Sequence, residues 1–321
     1  MRQVAALLAA VLSVGIAACG DGAEPGAPRR ATLVLDFQPN AVHSGIYSAL
    51  RRGFYADRGV ELEVREPSAS TDAPKLLRSG RAQFAILDIH DLGLARQDGA
   101  DLVGVAAIVQ LPLAAVIARD RDAVRRPRDL EGRRVGVTGL PSDDAVLESV
   151  VSSDGGDPDA VERVTIGFEA VPALSAGRLD AATAFWNAEG VALRRLGVST
   201  REFRVDDYGA PRYPELVLTT TGDLLREDPA LARSVVAATV RGYELTASDP
   251  EASLDDLLAE ARGLEPGPQR GQLRALIAAG AFEPAGRLDP DALEAWSRWD
   301  AGHGILDRPL DVREAFEPLA G

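Results

Sequence analysis

The sequence predicts an α/β protein of two lobes with a helical tail, and three observations predict it. Short apolar runs rich in β-branched residues recur along the chain, segments of helix length separate several of them, and beyond Asp223 amphipathic helices replace the strand signal. The runs are TLVLDF, VELEVRE, FAILDI, LVGVAAIV, AAVIARD, RRVGVTG, VTIGF, AATAFW, EFRVDDY and ELVLTTT; KLLRSGRA, DDAVLESVVSSDG and VPALSAGRL lie between some of them. Such alternation builds βαβ units and mostly parallel sheets. In the tail, Asp228 before Pro229 and Asp289 before Pro290 read as a capping side chain followed by a first-turn proline. Residues 32 to 321 exceed the size at which one core holds easily, so two lobes are expected, and no internal repeat is seen.

The N-terminus and the composition narrow the functional classes. Residues 1–18 carry Arg2 and an apolar run from Val4 to Ile16, the layout of a secretory signal, too short to span a membrane. Ile16, Ala17, Ala18 and Cys19 resemble a bacterial lipobox, which implies lipidation at Cys19 and an extracytoplasmic protein anchored to the cell membrane by lipid. Residues 19–31, GDGAEPGAPRR behind the cysteine and its neighbours, read as a flexible tether. Cys19 is the single cysteine, so the body has no disulfide and no thiol nucleophile. A net charge of −14 argues against nucleic acid as a partner and favours neutral or cationic ligands over anions. His43, His90 and His303 are scattered, and the phosphate-loop, dinucleotide, zinc-protease and serine-hydrolase motifs are missing, so neither metal nor cofactor is expected. In GVTGLPSDDAV the first helical turn already holds Asp143 and Asp144, which disfavours a phosphorylated ligand.

The stretch LDFQPNAVHSGIYSAL, residues 35 to 50, places Asp36, Phe37 and Asn40 where a strand gives way to a turn, with His43 and Tyr47 one helical turn apart. In open α/β sheets ligands bind beyond the carboxyl ends of strands. Asp88 ends another run; Trp186, Asn187 and Glu189 follow a third; Tyr208 and Tyr213 bracket a Gly-Ala-Pro turn. Together these residues offer aromatic faces for a flat ring and carboxylate and amide groups for its polar edge. Each also has a structural alternative. Phe37 can be core, Asn40 a helix cap, and His43 a satisfied buried histidine. Glu189 can pair with Arg194 or Arg195, and Asp91 can cap the helix after Asp88. Trp296 and Trp299, three apart, read as core.

Three segments resemble stretches of solute-binding proteins of ABC importers: LLRSGRAQFAILD, RRPRDLEGRRVGVTG and VPALSAGRLDAATAF. LDFQPNAVHSGIYSA, AILDIHDL, VQLPL, WNAEGVALRRLG and VDDYGAPRYPELVL are similar, more specifically, to a thiamine-precursor pyrimidine group. That group includes bacterial formylaminopyrimidine-binding proteins and the yeast-type hydroxymethylpyrimidine phosphate synthase. The likeness runs from about Leu33 to Leu218, and Phe37 stands where the family usually has tryptophan.

The resemblance implies a type II periplasmic-binding-protein fold with ligand between the lobes, a hinge that closes over it, monomeric state, and permease and ATPase partners. Lobe 1 is expected over residues 32–117 and 217–321, lobe 2 over 118–216. Trp186 and Tyr208 would then meet Phe37 and Tyr47 across the ligand. The pyrimidine leads as ligand; a riboflavin-like heterocycle, sulfonate or nitrate follows. The synthase chemistry requires a lysine for pyridoxal phosphate and a cysteine-rich iron motif. Here the matching segment reads FAILDIH, and Lys75 is the only lysine in the chain. A receptor without catalysis is therefore expected, with His43 as a ligand contact. A non-transport surface lipoprotein is the alternative of another class.

Overall fold

A computed structural model describes residues 27–68, 72–120 and 124–320. Cys19 and the expected signal lie outside them.

The strand-forming runs build two five-stranded mixed sheets. The first half of the chain supplies β1 (Arg29–Val34), β2 (Val60–Arg65), β3 (Phe84–Asp88) and β4 (Leu102–Val109), with helices α1 (Ser44–Arg51), α2 (Asp72–Arg78) and α3 (Ile89–Gln97) between them. There follow β5 (Ala114–Arg119), β6 (Arg134–Val137), α4 (Pro141–Ser153), β7 (Glu162–Thr165), α5 (Ala170–Ser175), β8 (Ala181–Phe185), α6 (Glu189–Arg195) and β9 (Thr200–Arg204). β10 (Leu216–Thr221) leads into α7 (Gly222–Glu227), α8 (Pro229–Ser248), α9 (Pro250–Glu260), α10 (Pro266–Ala278), α11 (Pro290–Gly302) and α12 (Val312–Ala315). The first sheet has the order β2-β1-β3-β10-β4 and the second β7-β6-β8-β5-β9. Each contains one strand that has crossed from the other half of the chain and runs antiparallel to its neighbours: β10 between β3 and β4, β5 between β8 and β9.

Sequence explains the layering. All eight residues of β4 are buried, as a strand covered on both faces requires, whereas β7 at a sheet edge has no fully buried residue. In the tail, Asp228, Asp249 and Asp289 each cap a helix whose first residue is proline, their carboxylates accepting from backbone N–H groups one turn on. The tail packs on the first lobe: α8 and α9 lie against α1, and Gly286 and Phe316 bridge to β4.

Two boundaries differ from expectation. β1 starts at Arg29, inside the expected tether, because Arg29 donates to the Gly59 carbonyl and extends the ladder along β2. β5 already pairs with β8 from Ala114 and with β9 from Ala115, so the chain crosses between sheets at residues 110–113, before Ala118. It returns through residues 205–215.

The tightest approach is α1 on α8. A Cβ at Gly242 would fall 2.0 Å from the Gly45 carbonyl oxygen, and one at Gly45 would fall 2.5 Å from the Tyr243 ring. Glycine to alanine inside a helix ordinarily gains up to ~1 kcal/mol. Gly242→Ala should instead cost ~2 kcal/mol or more through overpacking, a loss readable by denaturant melts. An unchanged midpoint would show that the two helices separate freely.

Candidate functional site

Strand register locates the cleft. Leu216, the first residue of β10, lies opposite both Asp88 at the end of β3 and Val109 at the end of β4. Ala114, the first residue of β5, lies opposite Phe185 at the end of β8. The carboxyl ends of β1, β3 and β4 therefore sit at the crossovers and face the second sheet. Those of β6, β7 and β8 sit at the same crossovers and face the first. Ligand sites of open α/β sheets lie at such edges.

On the first lobe, the turn after β1 is a closed hydrogen-bond circuit. Asn40 caps the short turn Ala41–His43: its Oδ1 accepts from Val42 N–H, and its own N–H donates to His43 Nδ1. With Nδ1 accepting, the ring proton sits on Nε2, which donates to Asp36 Oδ1 at 2.8 Å. His43 is wholly buried, while Asp36 remains partly accessible. The histidine thus holds a carboxylate at the strand end, and Asn40 holds the histidine. Phe37 is 52% exposed, not core. Tyr47 is buried, its hydroxyl pushed up to about 12 by burial and by Glu66 and Glu260.

Asp88 caps α3 through the His90 N–H, so Asp88 does the capping and leaves Asp91 to face outward. Burial, relieved in part by His90, pushes the Asp88 carboxyl up, with Asp300 and Asp36 adding repulsion. Asp91 is raised to about 7 by its surroundings and by Asp88, yet its side chain is exposed. Glu215, just before β10, is buried and raised to about 8 by desolvation and Asp88; it accepts from Leu113 N–H at 2.8 Å.

On the second lobe, Asn187 and Glu189 stand at the end of β8. Glu189 accepts from Phe185 N–H and is raised by desolvation, while its suggested partner Arg194 pairs with Glu202 instead. Asn187 is buried with Oδ1 lacking a hydrogen-bond partner. Asp143, opening α4, accepts from Thr138 N–H and Thr183 Oγ1 and lies within electrostatic reach of Glu189.

The structure brings Asp36, Phe37, Asn40, His43 and Asp88 to one edge and Asn187 and Glu189 to the facing one. Trp186 and Tyr213 are committed elsewhere, while Tyr208 is half-buried. Trp186 is 0% exposed: its indole N–H donates to the Pro112 carbonyl, its backbone N–H to Leu113, and the Arg204 guanidinium lies 3.9 Å over its ring. No stacking face is open in this conformation. Tyr208 stands edge-on to Phe203, and Tyr213 is buried with its hydroxyl accepting from His90 Nε2. His90 Nδ1 donates in turn to Asp300, with Trp296 and Trp299 packed around the ring. Sequence reasoning passed over Glu215. Its signal, a carboxylate immediately before a strand in PRYPELVL, acquires meaning only once the first crossover is placed beside it.

The described residues hold no group of three or more His, Cys, Asp or Glu arranged for a metal ion. A recess of about 240 Å³ lined by Glu244, Ser248, Phe282 and Pro284 lies on the tail, where the Pro284 carbonyl accepts from the Gln110 side chain just beyond β4.

Comparison with known proteins then adds an independent line. The family model described as NMT1/THI5 like matches residues 40–253. The formylaminopyrimidine-binding protein of Halalkalibacterium halodurans is 28% identical over 99% of this chain and 98% of its own length. The 4-amino-5-hydroxymethyl-2-methylpyrimidine phosphate synthase of Legionella pneumophila is 25% identical over 73% of this chain and 74% of its own. Among solved structures, the periplasmic aliphatic sulphonate-binding protein of Escherichia coli superposes with a TM-score of 0.73 at 16% identity, covering 90% of this chain and 97% of that one. That similarity establishes the type II binding-protein fold.

The buried ionisable groups set a pH dependence. Glu215 moves up from 4.5 to about 8, and His90 from 6.5 to about 9, driven by Asp300 and Asp88 against desolvation. In both cases the native state keeps a proton that the unfolded chain releases, so stability falls as pH rises through these intervals. The melting temperature should drop from pH 5 to pH 9. Glu215→Gln, which still offers Leu113 an acceptor, should flatten the slope below pH 8; an unaltered slope would remove Glu215 from the account.

Proposed function

This chain belongs to the NMT1/THI5-like family, and we propose that it is the extracytoplasmic solute-binding receptor of an ABC importer for a thiamine-precursor pyrimidine. Formylaminopyrimidine and hydroxymethylpyrimidine are the leading ligands. The observation that carries the reading is the pair of facing strand ends, with Asp36 and Asp88 on one and Asn187 and Glu189 on the other. An aminopyrimidine presents ring nitrogens and an exocyclic amine on one edge and two flat apolar faces. The carboxylates suit the amine, the free Asn187 oxygen suits a further donor, and Phe37 offers a face. A sulfonate or nitrate would meet acids at every one of these polar positions except Asn187. Similarity to a formylaminopyrimidine-binding protein over nearly the whole chain supports the same ligand.

The reading is of a receptor and not an enzyme. His43 has both ring nitrogens committed within its own lobe, and the one lysine, Lys75, sits on α2 and not in FAILDIH. The two crossovers at residues 110–113 and 205–215 supply the hinge. Ligand favours the closed arrangement by touching both edges at once, its differential affinity for that state driving closure. Permease and ATPase subunits would receive it, with membrane attachment through lipid on Cys19 alone.

Calorimetric titration of the purified protein with formylaminopyrimidine, hydroxymethylpyrimidine, thiamine, riboflavin, taurine and nitrate tests the proposal. The two pyrimidines should bind, and at about a hundred times the dissociation constant they should add roughly 2.7 kcal/mol of stability. Glu189→Gln should weaken them by about tenfold while leaving the melting temperature nearly unchanged. Binding of taurine or nitrate without the pyrimidines would replace the substrate class.

A further inference from the structure

The described residues include five large apolar side chains that stand exposed, and four of them are at one place in the fold. Phe37, 52% exposed, follows β1. Leu140, 52% exposed, follows β6. Phe168, 74% exposed, follows β7, and Phe185, 39% exposed, ends β8. Only Leu196, beyond the far end of α6, lies elsewhere. Scattered exposed leucines need no explanation, but gathering at the ligand-facing edge of both sheets does.

The backbone delivers two of them by the same device. Gly139, with φ at 97°, precedes Leu140, and Gly167, with φ at 54°, precedes Phe168. A left-handed residue just beyond each of two adjacent parallel strands turns the chain out of the sheet direction, and the next side chain is a large apolar one left in water. Neither side chain belongs to the apolar core, whereas Leu179 is part of it and Ile166 packs against it. Deeper at the same edge stand Asp143 and Glu189, so apolar groups border a polar floor.

We infer that Leu140 and Phe168 are specificity-determining residues of the second lobe, which cover the face of a flat heteroaromatic ligand when the lobes close. The inference rests on the receptor reading and extends it to residues outside the strand-end set of that reading. Closure brings the second sheet's edge toward Phe37, so the ring is covered from both lobes while its polar edge meets the carboxylates. Burial of Phe168 and Leu140 then occurs only with ligand, which converts apolar area into affinity and leaves the stability of the free protein untouched.

The test uses Leu140→Ser, Phe168→Ser and, as control, Leu196→Ser, each titrated calorimetrically with formylaminopyrimidine, hydroxymethylpyrimidine and riboflavin. All three sites are exposed, so melting temperatures should match the parent and folding does not confuse the result. Each cleft substitution should weaken binding by about tenfold, with the control within about twofold. Parent that binds a pyrimidine, with variants equally tight, overturns the role of these side chains and leaves the patch as a surface for protein docking, the receptor reading intact. Parent that binds riboflavin alone, with weakened cleft variants, upholds the apolar cover and replaces the pyrimidine. Parent that binds none of the three overturns both.

Discussion

The short crossover at residues 110–113 is the constraint from which the two-lobed arrangement follows. Four consecutive residues leave one sheet and enter the other, and Gln110, Pro112 and Leu113 between them bind different parts of the fold. Gln110 donates from its backbone to Ala281 and from its side chain to the Pro284 and Arg287 carbonyls. Pro112 receives the Trp186 indole, and Leu113 exchanges with Trp186 through its carbonyl and with Glu215 through its N–H. First lobe, second lobe and the return crossover therefore meet on one strip of backbone. A buried N–H left without its acceptor would cost about 1–3 kcal/mol, so the grip has energetic weight. The facing of the two strand edges, and with it the cleft, depends on this strip.

Much of this architecture was legible because its causes are local. β-branched runs, helix-length spacers and Asp-Pro starts act through neighbours in sequence, and the corresponding strands and capped tail helices formed where those signals lie. The Asp36 turn was legible for the same reason, since cap, histidine and carboxylate span only eight residues. The resemblance of PNAVHSGIY and FWNAEG to pyrimidine-binding relatives pointed to the family directly.

What remained hidden depends on long-range placement. Trp186 after a strand end looks like a ring-stacking residue until residues 110–113 pass beside it and take its N–H. Tyr213 looks like a second wall until His90, 123 positions away, accepts its company together with Asp300. Phe168 carries no sequence signal beyond an apolar residue after a glycine; its exposure appears only when the sheet edge is assembled. A strand shift of three residues at Arg29 likewise required knowing that Gly59 would lie opposite.

Two of the three tryptophans stand at the crossovers where the proposed hinge would act. Trp296 packs in the tail against His90 and Phe316, and Trp299 packs against His90 and against Tyr213 of the return crossover. Trp186 joins the second lobe to the first crossover, its indole held by Pro112 and its face covered by a guanidinium from β9. In the proposed hinge motion, Trp186 and Trp299 would each report one crossover through intrinsic emission, with Trp296 as the background.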